Sequence, residues 1–116
     1  MSRSYWKALQ TALKDNQINI DRLRGRQHPR TPTLIYPLDY GYLKNTSSGD
    51  GEGIDVWIGT LGTRKLTGIL CTFDTVKRDA EIKLLAGCSA QDVQTILNFN
   101  DNLMSYLYIP NPEEAE

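Results

Sequence analysis

Three carboxylates fall within six residues in the stretch Ser-Gly-Asp-Gly-Glu-Gly-Ile-Asp-Val-Trp: Asp50, Glu52 and Asp55, with no basic residue among them. Gly49, Gly51 and Gly53 let the backbone bend far enough for these carboxylates to converge. Like charges so close repel, and a structure tolerates them best with a cation between them. Oxygen-only donor sets suit hard cations such as magnesium, manganese or calcium. An exposed acidic turn accounts for the same residues equally well. An EF-hand does not, because position twelve counted from Asp50 is Leu61 and not the glutamate that calcium needs there. A second acidic pair, Asp74 and Asp79, brackets Lys77 and Arg78 between two expected strands. Asp79, Glu81 and Lys83 line one face of the later strand, which is either a solvent face or the wall of a polar cleft.

Charge is divided along the chain. Residues 21–30 carry Arg22, Arg24, Arg26 and Arg30 against Asp21, a formal +3. Residues 31–63 carry Lys44 against Asp39, Asp50, Glu52 and Asp55, a formal -3. A polyanion that itself binds metal needs both kinds of group, and phosphate compounds are the usual case. Mutual neutralisation of two surface loops is the other reading. The single histidine, His28, excludes zinc sites built on two or three imidazoles.

The elements that must position these residues read as follows. An amphipathic helix over Tyr5–Lys14 puts Trp6, Leu9, Ala12 and Leu13 on one face. A brief strand at Ile18–Ile20 precedes an irregular basic loop, which Gly25, Pro29 and Pro32 keep out of regular structure. Tyr36, Tyr40 and Tyr42 favour extended chain, broken by Pro37 and Gly41. Strands are expected near 54–58, 66–73, 80–86 and 105–109. Ser89 with Asp92 resembles a capping box ahead of a helix that buries Val93, Ile96 and Leu97. The strand linkers are too short for helical crossovers, so a parallel βαβ sheet is not expected, and an α+β, mainly β fold, a small mixed barrel with flanking helices, fits best.

At 116 residues the chain makes one domain over 1–116, with 110–116 a flexible tail. A net charge of -1 argues against a nucleic-acid or polybasic membrane binder, and an OB-like nucleic-acid binder would need a basic face that the acidic loop interrupts. No apolar run approaches the roughly 20 residues of a membrane span. The first ten residues lack the apolar core of a secretory signal. Cys71 and Cys88 form no C-x-x-C pair, and read as reduced thiols of a cytoplasmic protein. Self-association into a homo-oligomer stays open.

Tyr-Pro-Leu-Asp-Tyr-Gly at 36–41, followed by Asp50, Gly51 and Asp55, is similar to the signature region of soluble family I inorganic pyrophosphatases. There a Tyr-Pro-x-x-Tyr-Gly segment precedes a D-G-D-P-x-D metal motif, and Asp74 and Asp79 reproduce two aspartates of a downstream segment at the same separation. The overlap runs from about Tyr36 to Leu85, under half the chain. The resemblance implies a small antiparallel OB-like barrel with flanking helices, and magnesium-dependent hydrolysis of pyrophosphate to two phosphates, with two or more Mg2+ and with Mn2+ as a substitute. It implies metal-holding roles for Asp50, Glu52, Asp55, Asp74 and Asp79, and catalytic roles for Glu52, Asp55 and Tyr40. Tyr40 would face the phosphate. Glu52 and Gly53 stand where the family has Asp and Pro, and Glu81 stands where it has Lys. Lys83, on the same face, is the candidate substitute for that lysine, and Arg24, Arg26, His28 and Arg30 are the candidate phosphate-binding groups. The alternatives are action on another small phosphate compound, and a catalytically inactive module that binds phosphate or a partner.

Overall fold

The computed structural model describes residues 4–49 and 51–113. Helix α1 covers Tyr5–Asp15, opened by Ser4, whose hydroxyl accepts the Lys7 N–H. It ends at Asn16, whose side-chain amide donates back to the Ala12 carbonyl. Strands β1 (Ile18–Arg22), β2 (Asp39–Leu43), β3 (Asp55–Ile58), β4 (Leu66–Asp74) and β5 (Asp79–Ala86) follow, then helix α2 (Ala90–Asn100) and strand β6 (Ser105–Pro110). Among the described residues no helix is long and apolar enough to cross a membrane.

The six strands form one sheet in the order β1-β2-β3-β5-β4-β6. All neighbours are antiparallel except β3 and β5, which run parallel from Val56↔Leu84 to Ile58↔Ala86. The expected barrel, and the all-antiparallel pairing that the resemblance implies, are therefore corrected to an open mixed sheet, with β1 and β6 at its edges. Two features produce this. First, the β4–β5 hairpin returns the chain beside β3, so β4 itself makes the crossover that a helix makes in a βαβ unit. Second, adjacent residues on the central strands are buried on opposite faces: Ile69 and Leu70, Leu84 and Leu85, Val56 and Trp57. A sheet apolar on both sides needs cover on both sides. Leu9 and Leu13 of α1 pack with Val56, Ile69 and Leu84, while Ile96 and Phe99 of α2 pack with Trp57, Leu70 and Leu85.

Local chemistry fixes the elements around the cleft. In α2 the capping box forms with Asp92: the Ser89 hydroxyl accepts the Asp92 N–H, and the Asp92 carboxylate accepts the Ser89 N–H. At the β4–β5 turn, Asp74 Oδ1 accepts the N–H groups of Val76 and Lys77, and Arg78 takes φ 60. Gly41 is needed because a Cβ there would stand 2.0 Å from the Asn19 carbonyl oxygen on β1. The basic segment folds back on itself, with Gly25 N–H bonding to Tyr36 O, Tyr36 N–H to Arg26 O, and His28 N–H to Leu34 O. At the C-terminal end, Asn111 donates its N–H to Thr67 O and its side-chain amide to Leu66 O. Residues 114–116 lie outside the described residues.

Candidate functional site

Strand alternation decides what faces the cleft. Thr72 and Asp74 on β4 and Asp79, Glu81 and Lys83 on β5 share one face, paired as Thr72↔Glu81 and Asp74↔Asp79. Asp55 opens the neighbouring β3, and Tyr40 on β2 stands beside β3 as partner of Trp57. The refolded basic segment closes the rim with His28, Pro29 and Arg30. Together these residues, with Tyr36, Lys77 and Met104, enclose an open cavity of about 420 Å3.

At its floor Lys83 is 8% exposed. Its Nζ donates to Asp55 Oδ2 at 2.9 Å and to the Tyr40 hydroxyl at 2.8 Å, and lies 3.7 Å from Glu81 Oε1. Burial first, then the adjacent Asp55 carboxylate, pushes the Tyr40 phenol well above its ordinary 10.0, so the phenol keeps its proton. Tyr36, Tyr40, Trp57 and Phe99 pack around this floor, with the Tyr40 and Trp57 ring centroids 4.7 Å apart.

At the rim, His28 Nδ1 accepts two backbone N–H groups, from Arg30 at 3.1 Å and Thr31 at 3.2 Å. That places the proton of the neutral ring on Nε2. Burial, then the charges of Arg30 and Arg22, lowers the His28 pKa below 6.5. The ring is thus held neutral, as a donor. Across the cleft, the N–H groups of Lys77 and Val76 hold the Asp74 carboxyl below the usual carboxylate range.

No family model matches the chain, and no curated protein matches its sequence. Among solved structures, an inorganic pyrophosphatase from Coxiella burnetii is similar to it, with 14% identity and a TM-score of 0.48. The match covers 81% of this chain and 82% of that one.

The cleft brings together Tyr40, Asp55, Asp74, Asp79, Lys83, His28 and Arg30 from the candidate residues. Three others stand elsewhere among the described residues. Glu52 is exposed on the loop before β3 and does not line the cleft. Arg24 is exposed, and its N–H donates to Asp39 Oδ1. Arg26 lines a separate shallow cavity with Asp21, Arg22 and Gln27. Asp50 lies outside the described residues. Thr72, Tyr36 and Met104 are cleft residues that the sequence did not single out for this site. Thr72 was findable, two residues before Asp74 on the same strand face; Met104 carries no such signal.

Metal fit can be judged from the carboxylates present. Among the described residues no three or more His, Cys, Asp or Glu side chains come close enough to hold one ion. Asp55 is held by the Lys83 ammonium, and one oxygen of Asp74 is occupied by the turn backbone. The described residues do not by themselves complete a metal site. What they do offer is a small cleft with an acidic side and the donors Arg30, Lys77 and His28 at its edge, a set that matches phosphate oxygens.

Proposed function

We propose that the cleft takes a small phosphate compound, and that its reaction is hydrolysis of pyrophosphate to two phosphates. The observation that carries this is the meeting of Asp55, Asp74, Asp79, Arg30, Lys77 and Lys83 in one cavity, from segments far apart in the chain. The tyrosine and aspartate motifs of the sequence supply the choice of pyrophosphate. In this proposal Arg30 and Lys77 pair with phosphate oxygens, and His28 donates its Nε2 proton to another. Tyr40 donates no proton to solvent at neutral pH and serves as a neutral hydrogen-bonding wall. Lys83 fixes the orientation of Asp55 and Tyr40. Magnesium, or manganese in its place, belongs to the proposal as the counter-ion carried on the substrate's own phosphate oxygens. A cytoplasmic location goes with it, in keeping with two unpaired cysteines.

The Lys83–Asp55 ion pair favours a second reading. A carboxylate already neutralised by a fixed ammonium is a weaker metal ligand and a weaker base. On that reading the cleft binds a phosphate compound, or a phosphate-bearing partner, without turning it over. Phosphate release from pyrophosphate, measured with magnesium and with a chelator, separates the two. Magnesium-dependent release that disappears in Asp79→Asn supports the hydrolase. Tight binding of pyrophosphate with no release supports the binding module.

A further inference from the structure

β6 is the last strand of the sheet, and among the described residues no strand lies beyond it. Its register on β4 shows which backbone groups point outward. The Asn111 N–H donates to Thr67 O, and the pairs then run Ile69↔Ile109, Leu70↔Tyr108, Cys71↔Leu107 and Thr72↔Tyr106. Antiparallel pairs alternate between hydrogen-bonded and non-hydrogen-bonded, so Leu107 and Ile109 turn their N–H and C=O to β4. Tyr106, Tyr108 and Pro110 turn theirs away from it. At both ends of this outward row the donors stop. Pro110 has no N–H, and Met104 already donates its own to Asn100 O. Two outward donors remain, at Tyr106 and Tyr108, placed symmetrically about Leu107.

The side chains of this edge carry no charge. No Asp, Glu, Lys or Arg occurs from Asn102 to Pro112, whereas the opposite edge strand carries Asp21 and Arg22. Leu107 is 61% exposed, and Phe73, on the same sheet face, is 44% exposed. Edge strands are ordinarily guarded by charge, bulges or a covering element, and this one is apolar and flat in its pairing.

We propose that β6 pairs antiparallel with β6 of a second copy of this chain, about a two-fold axis at Leu107. Antiparallel pairing of identical strands is self-complementary, so one edge serves both partners. Tyr106 of each copy exchanges both backbone hydrogen bonds with Tyr108 of the other, which satisfies both outward donors on each side. The two Leu107 side chains then meet directly opposite in a non-hydrogen-bonded pair, where cross-strand contact is closest. Because this edge carries no charge, two copies meet on it without like-charge repulsion, and the two-fold axis brings each copy's outward donors onto the other's outward acceptors. The axis is normal to the sheet, so both clefts open on the same side of the joined sheet.

Sedimentation over a concentration series tests this. Wild type is expected to reach twice the 13.1 kDa of one chain, and Leu107→Lys, which sets two ammonium groups together at the axis, is expected to stay monomeric with an unchanged circular dichroism spectrum. Leu107→Cys in a Cys71→Ser background is expected to give a disulfide-linked dimer on mild oxidation, since the two Cα atoms lie about 4.5 Å apart in such a pair. Cys71 is removed because it faces Leu107 across β4 and β6 and would capture the new thiol. A wild type that sediments as one chain at every concentration overturns the proposal. So does a folded Leu107→Lys that remains dimeric, or a Leu107→Cys protein that forms no cross-link. If Leu107→Lys fails to fold, the cysteine variant decides.

Discussion

Lys83 and Asp55, on strands that run parallel to each other, join in an ion pair of 2.9 Å at the floor of the polar cleft. The Tyr40 hydroxyl accepts a second hydrogen bond from the same ammonium. One buried cation thus ties β2, β3 and β5 together beneath the proposed substrate position. Breaking a buried pair from one side leaves a charge with no partner, which is more damaging than removing both. Lys83→Met is therefore expected to lower stability by about 3 kcal/mol. Combining it with Asp55→Asn is expected to recover most of that loss, because the two residues act as one unit. Urea midpoints for the two single variants and the double variant measure the coupling; additive losses would mean that the pair contributes nothing as a pair.

The arginines separate into two groups. Arg30 lines the cleft beside His28, whereas Arg24 does not line it and donates its backbone N–H to Asp39 Oδ1. Arg30→Ala is expected to weaken pyrophosphate binding about tenfold, equivalent to about 1.4 kcal/mol for a lost charge-assisted contact. Arg24→Ala is expected to leave it unchanged. Calorimetric titration of both variants checks the difference, and equal losses would mean that the basic segment acts only through its overall charge.

Asp92 makes the stability of the α2 end depend on pH. Its side chain is closed in, with only 5% of the residue exposed, and one oxygen accepts from the Thr60 N–H, the Thr60 hydroxyl and the Ser89 N–H. Burial raises its pKa, but these donors outweigh burial and the net shift is downward from 3.8. A carboxyl lowered in the folded state adds stability above its unfolded pKa and loses it as pH falls through the folded one. Asp92→Asn is expected to cost about 1–3 kcal/mol at pH 7. The gap to wild type should narrow as pH drops below 3.8, as thermal melts from pH 7 to pH 3 would show. A gap that stays constant with pH would mean that the Asp92 charge is not what holds Thr60.

Much of the local structure was legible because it depends on near neighbours. Apolar spacing located α1 and α2, the Ser89–Asp92 spacing signalled the cap, and strict alternation put Asp79, Glu81 and Lys83 on one face. The strand order that leaves the sheet open was not legible. Whether β5 returns beside β3 or elsewhere depends on which apolar faces find cover, and Ile69–Leu70 and Leu84–Leu85 bury both faces at once. Side-chain partners across strands were hidden for the same reason. Nothing near Lys83 in sequence announces that its ammonium reaches Asp55 on β3. Nor does the even run of arginines reveal that the chain folds back at 25–36, turning Arg30 toward the cleft while Arg26 joins Asp21 and Arg22 elsewhere.

The central claim is that this cleft, and no other surface, receives a phosphate compound. Titrating the isotope-labelled protein with pyrophosphate and following backbone amide resonances tests it most directly. Saturable shifts are expected at His28 and Arg30, at Thr72 and Asp74, and from Lys77 to Lys83, and they should be lost when Arg30 and Lys77 are both replaced by alanine. No shifts at saturating pyrophosphate, with or without magnesium, would contradict the account, as would shifts centred instead on the cavity around Lys65, Ser89 and Tyr108.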